Sequence, residues 1–409
     1  MAGYGLIGEK LGHSYSPQIH KLLKGYEYGL YEVEQDRIKS FLEETELLGM
    51  NVTIPYKKTV LPYLKYIAPE AERIGSVNTL VRHADGWYGY NTDYTGFRFM
   101  VESSGFSVKG KKGLILGTGG ASLAVRAALE DMGASYVMIS RSGEDNYGNL
   151  SKHADAEFIV NTTPVGMFPK TGAAALSLDS IPGCKAVFDL IYNPARTALM
   201  LDAESRGITA VGGLSMLVAQ AKRAAELFTD TSIDDSRVEE IRKQLAYEMG
   251  NIVLIGMPGS GKSSVGEMIA ELDGRKYADA DIVLTEREKR TPSDIITNDG
   301  EAEFRRIEAE VNAELGKQSG YVISTGGGCI TRDINYGYLH QNGIIVWIKR
   351  DISLLPKDGR PISQRNDLSE LYARRAPLYE KFADIVVENA GTVEETASEI
   401  IRKAKEFSK

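Results

Sequence analysis

A phosphate-binding loop is the clearest chemical signal in this sequence. The segment GMPGSGKS, residues 256–263, follows the apolar run Ile252 to Ile255 and precedes a helical pattern, Lys262 to Leu272. Glycines allow backbone N–H groups to curl around phosphate oxygens, and a helix N-terminus adds a positive dipole end. In this motif, Lys262 reaches the β- and γ-phosphates and the Ser263 hydroxyl binds Mg²⁺. The motif therefore predicts a nucleotide site but does not specify a reaction.

Two pairs of charged residues follow the loop. The period of two along an extended segment 277–281 places Asp279 and Asp281 on the same side. One carboxylate then assists Mg²⁺ and the other faces a substrate hydroxyl, although a polar strand end is the plainer interpretation. Arg305 and Glu308 share a helical face at spacing i, i+3, which is also the spacing of an ordinary surface ion pair.

A second glycine motif, GTGGAS at 117–122, follows the apolar run Leu114 to Leu116. It departs from GxGxxG because Ser122 replaces the third glycine. A further strand, Tyr136 to Ile139, ends at SRS, 140–142, where an NAD site would place an acidic residue. Arginine and serine suit a 2′-phosphate instead, so the pattern favours NADP. The acidic residues Glu144 and Asp145 weaken that discrimination, and a surface position for Arg141 is the alternative.

Four short polar segments precede this motif: GHSYSP (12–17), NVTIPYK (51–57), GSVNT (75–79) and GYNTD (89–93). Alternation places Asn51, Thr53 and Lys57 on one face, and an extended chain would point Ser14 and Ser16 the same way. Each segment alone could be an ordinary turn. Together they offer the donors and acceptors for a small acid that carries several hydroxyl groups.

The elements that position these residues are short strands followed by glycine turns and helices. This pattern predicts α/β folds with parallel sheets buried on both faces. Two such units, beginning near Gly117 and Gly256, indicate two α/β domains. A helical pattern from Asp234 to Tyr247 ends before Gly250, where we expect the domain boundary.

Composition excludes several classes of protein. The chain has 409 residues and 42 glycines, and its net charge of −8 disfavours nucleic-acid binding, which usually requires a basic surface. No apolar stretch approaches the ~18 residues that a membrane helix needs, and the N-terminus has no signal-peptide pattern. Two cysteines are too few for a disulfide framework, so we expect a cytoplasmic protein.

Residues 251 to about 409 resemble shikimate kinases through the phosphate-binding loop, the DxD of 279–281, GEAEFRRIE (300–308), GGG (326–328) and RAPLY (375–379). The resemblance implies ATP and Mg²⁺ as cofactors, with Lys262 catalytic and Ser263 and Asp279 at the metal. Asp281 would orient the accepting hydroxyl, and Arg360 would close over the transferring phosphoryl group from a mobile lid. Implied shikimate contacts, besides Asp281, are Arg305, Glu308, Gly327 and Arg375, and implied ATP contacts are Gly256, Gly259, Ser260, Gly261 and Ser264.

Residues 1 to about 248 resemble shikimate dehydrogenases through GHSYSP, NVTIPYK, GSVNT, NTD (91–93), GTGGAS, NTTPVGM (161–167) and MLVAQA (216–221). The resemblance implies that Lys57 and Asp93 form the catalytic pair, since ketone reduction requires a proton at oxygen as hydride reaches carbon. Implied substrate contacts are Ser14, Ser16, Asn51, Thr53, Asn78, Tyr192 and Gln220. Implied NADP(H) contacts are Gly117, Gly119, Gly120, Ala121, Ser140, Arg141, Ser142, Asn161, Thr162 and Met216.

Both resemblances together predict a bifunctional enzyme of aromatic amino-acid biosynthesis, because the product of one site is the substrate of the other. The first half would reduce 3-dehydroshikimate with NADPH, and the second would phosphorylate shikimate. We expect a dehydrogenase domain at 1–249 and a kinase domain at 250–409. Within the first, the substrate lobe would comprise 1–104 and 213–249, and a Rossmann lobe 105–212.

Two alternatives remain open at this stage. The stretch between Trp347 and Arg360 is shorter than is usual in shikimate kinases, so the second half could be a weakly active or regulatory ATP-binding module. The first half could instead oxidise quinate or another polyol.

Overall fold

The computed structural model of the chain describes residues 3–12, 14–355 and 368–408. The chain divides into two compact units. The first comprises Met1–Gly166, Ala173–Tyr192 and Leu199–Arg242, and the second comprises Met167–Gly172, Asn193–Ala198 and Lys243–Lys409. Each unit has its own sheets and its own buried apolar clusters.

The first sheet has six strands in the order β2-β1-β3-β5-β6-β4. The β3–β5 and β5–β6 pairs are antiparallel, and the others are parallel. Its strands are β1 (Tyr4–Gly8), β2 (Tyr28–Glu32), β3 (Gly49–Val52), β4 (Tyr66–Ile67), β5 (Thr79–His83) and β6 (Gly86–Tyr90). The helices of this part are α1 (Ser16–Lys24), α2 (Ile38–Glu44), α3 (Pro69–Ile74) and α4 (Thr92–Ser103).

The second sheet is wholly parallel, in the order β11-β10-β9-β7-β8. It contains β7 (Lys112–Leu116), β8 (Ser135–Ile139), β9 (Phe158–Asn161), β10 (Ala186–Asp189) and β11 (Thr209–Gly212). Its helices are α5 (Gly120–Asp131), α6 (Ala198–Ser205) and α7 (Leu214–Thr229). Ile115 packs into one apolar cluster, and Leu114 and Leu116 pack into another. Burial on both faces explains why β7 reads as a continuous apolar run.

The third sheet lies in the second unit and is also parallel, in the order β13-β14-β12-β15-β16. Its strands are β12 (Asn251–Ile255), β13 (Lys276–Asp279), β14 (Tyr321–Ser324), β15 (Gly343–Lys349) and β16 (Ile385–Glu388). The helices are α9 (Lys262–Asp273), α10 (Ala280–Glu288), α11 (Pro292–Asp299), α12 (Glu301–Gly316), α13 (Ile334–His340), α14 (Leu368–Phe382) and α15 (Val393–Phe407). Helix α8 (Ser236–Met249) precedes β12, and the division between units falls within it.

The two glycine motifs occupy equivalent places in their sheets. Strand β7 lies between β8 and β9, and β12 lies between β14 and β15, so the strand order reverses at each. Ligands of open α/β sheets bind at such switch points, beyond the carboxyl ends of the strands. Within the described residues, no helix is both long and apolar enough to cross a membrane.

Candidate active sites

A lysine and a carboxylate meet in the first unit. Lys57 Nζ lies 2.6 Å from Asp93 Oδ2, and the two side chains are 21% and 13% exposed. Lys57 lies in the turn after β3, and its carbonyl accepts a hydrogen bond from Val77 N. Asp93 lies in the first turn of α4. The expectation that residues 51–57 alternate along one strand was wrong, because β3 ends at Val52 and a turn brings Lys57 round to α4.

Buried hydrogen bonds link three of the expected substrate contacts, Asn51, Asn78 and Gln220. Asn51 Nδ2 donates to Thr79 Oγ1 at 3.0 Å, and Thr79 Oγ1 donates to Asn78 Oδ1 at 3.2 Å. Asn78 Oδ1 also accepts from Thr92 N at 2.7 Å, and Thr92 Oγ1 donates to Gln220 Oε1 at 3.3 Å. Since Thr92 precedes Asp93, the network ends beside the Lys–Asp pair. It holds groups from β3, α4 and α7 in fixed orientations.

Tyr28 and His20 support Asn51 from the other side. The Tyr28 hydroxyl donates to Asn51 Oδ1 at 2.6 Å, and the His20 ring stacks on the Tyr28 ring with centroids 4.1 Å apart. His20 Nδ1 and the Tyr26 hydroxyl are 2.6 Å apart. Burial lowers the pKa of His20 to about 3. His20 is therefore neutral at physiological pH, and it packs Tyr28 into place.

The serine segment before α1 is held by a turn rather than an extended chain. Ser16 N donates to Ser14 Oγ at 3.2 Å, and Ser16 begins α1, so the chain between the two serines is not extended. Between them, Tyr15 meets Tyr192 edge to face, with centroids 6.1 Å apart. Burial raises the pKa of both phenols. Thus Tyr15, which the sequence did not single out, joins the serine segment to an expected substrate contact.

The GTGGAS motif forms the turn between β7 and α5. Gly117 has φ +97°, and a side chain there would collide with Thr163 Cγ2 at 2.8 Å. At Gly119 and Gly120, by contrast, a Cβ would meet no atom within 4 Å. Gly119 is the N-cap residue of α5 and provides no side chain to cap its N–H groups. The helix N-terminus therefore presents free space and backbone donors to a pyrophosphate.

The end of β8 presents Arg141 and Ser142 to solvent. Ser140 Oγ accepts from Gly143 N at 2.8 Å and closes the following turn. Asp145 Oδ1 lies 2.7 Å from His153 Nε2, so one of the two acidic groups after Arg141 faces a histidine of its own unit.

The other expected NADP contacts lie in the same unit, where Asn161 and Met216 are buried and Thr162 and Ala121 are partly buried. Asn161 Nδ2 donates to Asp189 Oδ1 at 3.0 Å, and Thr162 Oγ1 donates to the carbonyl of Leu116 at 2.7 Å. Met216 is buried on α7, in the apolar cluster on one face of the second sheet. Ala121 follows Gly120 in the first turn of α5.

The second unit contains a pocket of about 650 Å³ around the phosphate-binding loop. Lys262 Nζ donates to the carbonyls of Gly256 and Met257 at 3.0 and 3.1 Å. Ser263 Oγ donates to Asp279 Oδ2 at 2.9 Å, so the two expected metal ligands already face each other. A hydroxyl beside a carboxylate is a donor set that suits Mg²⁺.

Asp279 and Asp281 do not share a strand. Strand β13 ends at Asp279, whose side chain accepts a hydrogen bond from Asp281 N at 3.0 Å and caps α10. The expected extended segment over both residues was therefore wrong: capping starts a helix at Ala280, and Asp281 lies in its first turn. Both carboxylates nevertheless line the pocket.

Arg305 and Glu308 form a buried pair rather than a surface pair. Arg305 Nη1 donates to Glu308 Oε2 at 2.8 Å, with side chains 10% and 2% exposed. Burial raises the pKa of Glu308, although Arg305 opposes this rise. Burial lowers the pKa of Arg305, but Glu308 and Glu301 reverse that effect and leave it raised. Among the described residues, Arg305 Nε and Glu308 Oε1 have no hydrogen-bond partner. These groups point to a polar ligand in the pocket.

The triple glycine after β14 lets the backbone approach these side chains. A Cβ on Gly326 would lie 2.5 Å from Glu308 Oε1, one on Gly327 would lie 2.8 Å from Pro258 Cδ, and one on Gly328 would overlap Arg305 Nη2. The carbonyl of Gly327 accepts a hydrogen bond from the Tyr379 hydroxyl at 2.5 Å. A side chain at these positions would have to displace Glu308, Pro258 or Arg305.

The pocket gathers most of the expected kinase residues. Those that line it are Gly259, Gly261, Lys262, Ser263, Ser264, Asp279, Asp281, Arg305, Glu308, Gly327 and Arg375. Gly256 and Ser260 belong to the loop but do not line the pocket. The carbonyl of Gly256 accepts a hydrogen bond from Lys262 Nζ, and Ser260 is fully buried. Arg360 lies outside the described residues. The lining also includes Pro258, Phe304, Thr325 and Arg350, which the sequence analysis did not select. Phe304 could have been found from its place beside Arg305 in the GEAEFRRIE run.

Comparison with known proteins gives two family matches. The shikimate kinase model matches residues 258–405, and the model of the shikimate dehydrogenase substrate binding domain matches residues 6–80. The NADP(+) shikimate dehydrogenase of Clostridium perfringens (strain 13 / Type A) is 39% identical over 264 residues, with 59% of this chain and 97% of that protein covered. The corresponding protein of Methanosphaera stadtmanae is 35% identical, with 55% and 90% covered.

Solved structures match the same part of the chain. A chorismate mutase/shikimate 5-dehydrogenase fusion protein from Clostridium acetobutylicum has 38% identity and a TM-score of 0.57, with 59% of this chain and 96% of that chain covered. The shikimate 5-dehydrogenase of Thermus thermophilus, solved in complex with NADP(H) and shikimate, has 30% identity and a TM-score of 0.55. It covers 59% of this chain, and 98% of its own length is matched.

Proposed function

We propose that this chain, which belongs to the shikimate dehydrogenase family and carries a shikimate kinase domain, catalyses two consecutive reactions. The first is NADPH-dependent reduction of 3-dehydroshikimate to shikimate. The second is MgATP-dependent phosphorylation of shikimate to shikimate 3-phosphate. The observation that carries the proposal is that one chain contains both a largely buried Lys57–Asp93 pair and a phosphate-binding pocket. Arginines that can bind the substrate carboxylate line that pocket.

In the reduction, Lys57 is the proton donor. Its ammonium hydrogen-bonds the carbonyl oxygen of the substrate and protonates that oxygen as the carbon is reduced. Asp93, 2.6 Å away, holds the ammonium in place and balances its charge. Asn51, Asn78 and Gln220 bind substrate hydroxyls, and their mutual hydrogen bonds orient them before the substrate arrives. Ser14, Ser16, Thr53 and Tyr192 complete the proposed substrate site.

NADPH supplies the hydride. The open N-terminus of α5 at Gly119 and Gly120 fits a pyrophosphate, and exposed Arg141 fits the 2′-phosphate. Gly117, Ala121, Ser140 and Ser142 would form the turns around these two phosphate positions. Asn161, Thr162 and Met216 would contact the nicotinamide.

In the phosphoryl transfer, the protein acts mainly by positioning and by neutralising charge. Ser263 and Asp279 would hold Mg²⁺, and Lys262 would bind the phosphates of ATP. Arg305 and Arg375 pair with the carboxylate of shikimate, while Asp281 orients its hydroxyl towards the phosphoryl group. Glu308 fixes Arg305. We assign Arg360, the lid arginine expected from the sequence, to the transferring phosphoryl group.

We also propose the domain limits 1–249 and 250–409, with the substrate lobe formed by 1–104 and 213–249 and the Rossmann lobe by 105–212. Packing of α4 on α7 supports a substrate lobe built from both ends of the first domain. Gly96 allows this packing, since a Cβ there would lie 2.7 Å from the carbonyl of Met216.

The test measures each reaction separately on the full chain. We expect NADPH oxidation with 3-dehydroshikimate and formation of shikimate 3-phosphate with MgATP. Lys262→Ala should abolish the second reaction and leave the first unchanged. ATP binding without phosphorylation by the wild-type chain would favour the regulatory-module alternative. Higher kcat/KM for quinate than for shikimate would refute the assigned substrate of the first site.

A further inference from the structure

Arg350 is a cation of the kinase pocket that the proposed reaction has not used. It directly follows β15 and lines the pocket with Gly261, Lys262 and Ser263. Its Nε is buried and has no hydrogen-bond partner among the residues that the structure describes. A buried guanidinium nitrogen without a partner is costly, because it has lost its water without gaining an acceptor. The arrangement therefore points to an anionic ligand.

The sheet order places the backbone of Arg350 beside the phosphate-binding loop. Strand β15 pairs with β12, with Trp347 opposite Ile255, and a Cβ on Gly256 would lie 2.5 Å from the carbonyl of Ile348. Arg350 follows two residues later, so its backbone leaves the sheet beside the phosphate-binding loop.

Arg305, which is proposed to bind the shikimate carboxylate, lies on the other side of that loop. Gly328 packs against Arg305 after β14, and Asp279 ends β13 at the sheet edge. Across the strand order, Asp281 and the contact of Gly328 with Arg305 thus follow β13 and β14, the phosphate-binding loop follows β12, and Arg350 follows β15. Arg375, on α14, lines the same pocket. Arg350 therefore lies next to the phosphate-binding loop in the strand order, whereas Arg305 is approached from the β14 side.

We propose that Arg350 binds the phosphate chain of the nucleotide from the β15 side, as a second protein cation beside Lys262. This inference rests on the proposed kinase function. A guanidinium presents several donors in a plane that match phosphate oxygens, whereas the Lys262 ammonium acts as a point charge. Because Arg350 is attached to the end of a buried strand, it provides positive charge from a fixed position.

The experiment measures nucleotide binding by the full-length protein by calorimetry, with MgATP, MgADP and adenosine as ligands. Arg350→Gln should weaken MgATP and MgADP binding by about tenfold or more, the effect of losing a charged hydrogen bond, and leave adenosine binding unchanged. Arg350→Lys should recover part of the loss. The matched control is Lys349→Gln, since Lys349 Nζ lies 3.4 Å from Glu388 Oε1 and does not line the pocket. Its affinities should stay within about twofold of wild type.

Several outcomes would overturn the inference. Unchanged MgATP affinity in Arg350→Gln would exclude the phosphate contact, and equal weakening of adenosine binding would place the arginine at the base. A rise confined to the KM for shikimate would place it at the substrate. If Arg350→Gln does not fold, Arg350→Lys provides the same comparison of the three ligands. Since binding needs no transfer, wild-type protein that binds MgATP but does not phosphorylate shikimate would refute the kinase function and leave this test intact.

Discussion

Replacing Lys57 with methionine removes the proposed proton donor and keeps most of the side-chain length. Lys57 Nζ lies 2.6 Å from Asp93 Oδ2, and exposures of 21% and 13% leave little room for water to take its place. A positioned acid contributes about 10²- to 10⁴-fold to rate, which corresponds to about 3 to 5 kcal/mol of activation free energy. We therefore expect kcat for 3-dehydroshikimate reduction to fall by about two to four orders of magnitude.

The assay follows NADPH oxidation at saturating substrate, together with phosphorylation of shikimate by the same sample. Kinase turnover should stay within about twofold of wild type, because Lys57 belongs to the other compact unit. Lys58→Met is the matched control: Lys58 is adjacent and exposed, so its dehydrogenase kcat should be nearly unchanged. A Lys57→Met enzyme within about tenfold of wild-type kcat would refute the assigned role. Loss of both activities in folded protein would do so as well.

Three further predictions concern the first unit. Tyr28→Phe leaves Asn51 Oδ1 without its donor and should raise the KM for 3-dehydroshikimate by about tenfold with a smaller effect on kcat; an unchanged KM would remove Tyr28 from the site. The pKa of His20 is lowered to about 3 in the folded chain, whereas the ordinary pKa of histidine is 6.5. Below pH 6.5 the unfolded chain therefore binds more protons than the folded chain, and the free energy of unfolding decreases as the pH decreases. Urea unfolding of the first unit should show that the free energy of unfolding decreases by about 2 kcal/mol from pH 7 to pH 5. The His20→Gln variant should not show this decrease. Equal pH slopes for the two proteins would contradict the argument that His20 is buried and neutral. Arg141→Gln should raise the KM for NADPH by about tenfold and leave that for NADH within about twofold, whereas equal changes for both cofactors would remove Arg141 from the 2′-phosphate.

Local sequence was enough to predict the two glycine motifs and their sheets. The turns after β7 and β12 depend on neighbouring residues: an apolar strand, a run of glycines and a helix start. Parallel strands that are buried on both faces are continuous apolar runs in the sequence, so they can be recognised without knowledge of the tertiary structure. The mixed first sheet was not predicted, because its β5–β6 hairpin carries no glycine motif of this kind.

Contacts between distant positions could not be predicted from spacing. Thr92 and Gln220 are joined by a hydrogen bond across 128 positions, and Tyr28 reaches Asn51 across 23. Both depend on how helices and strands pack. The error over Asp281 has a local cause, because period-two spacing fits a strand, whereas capping by Asp279 starts a helix. Arg350 was overlooked because its importance comes from the place of β15 in the strand order.

The most direct test of the bifunctional proposal is a single reaction with the purified full chain, 3-dehydroshikimate, NADPH and MgATP, with the products separated and quantified. Our account predicts that NADPH oxidation is followed by accumulation of shikimate 3-phosphate. Lys262→Ala should stop at shikimate, and Lys57→Met should form little of either product. Shikimate as the final product of the wild-type chain, with no phosphorylated product, would contradict the account.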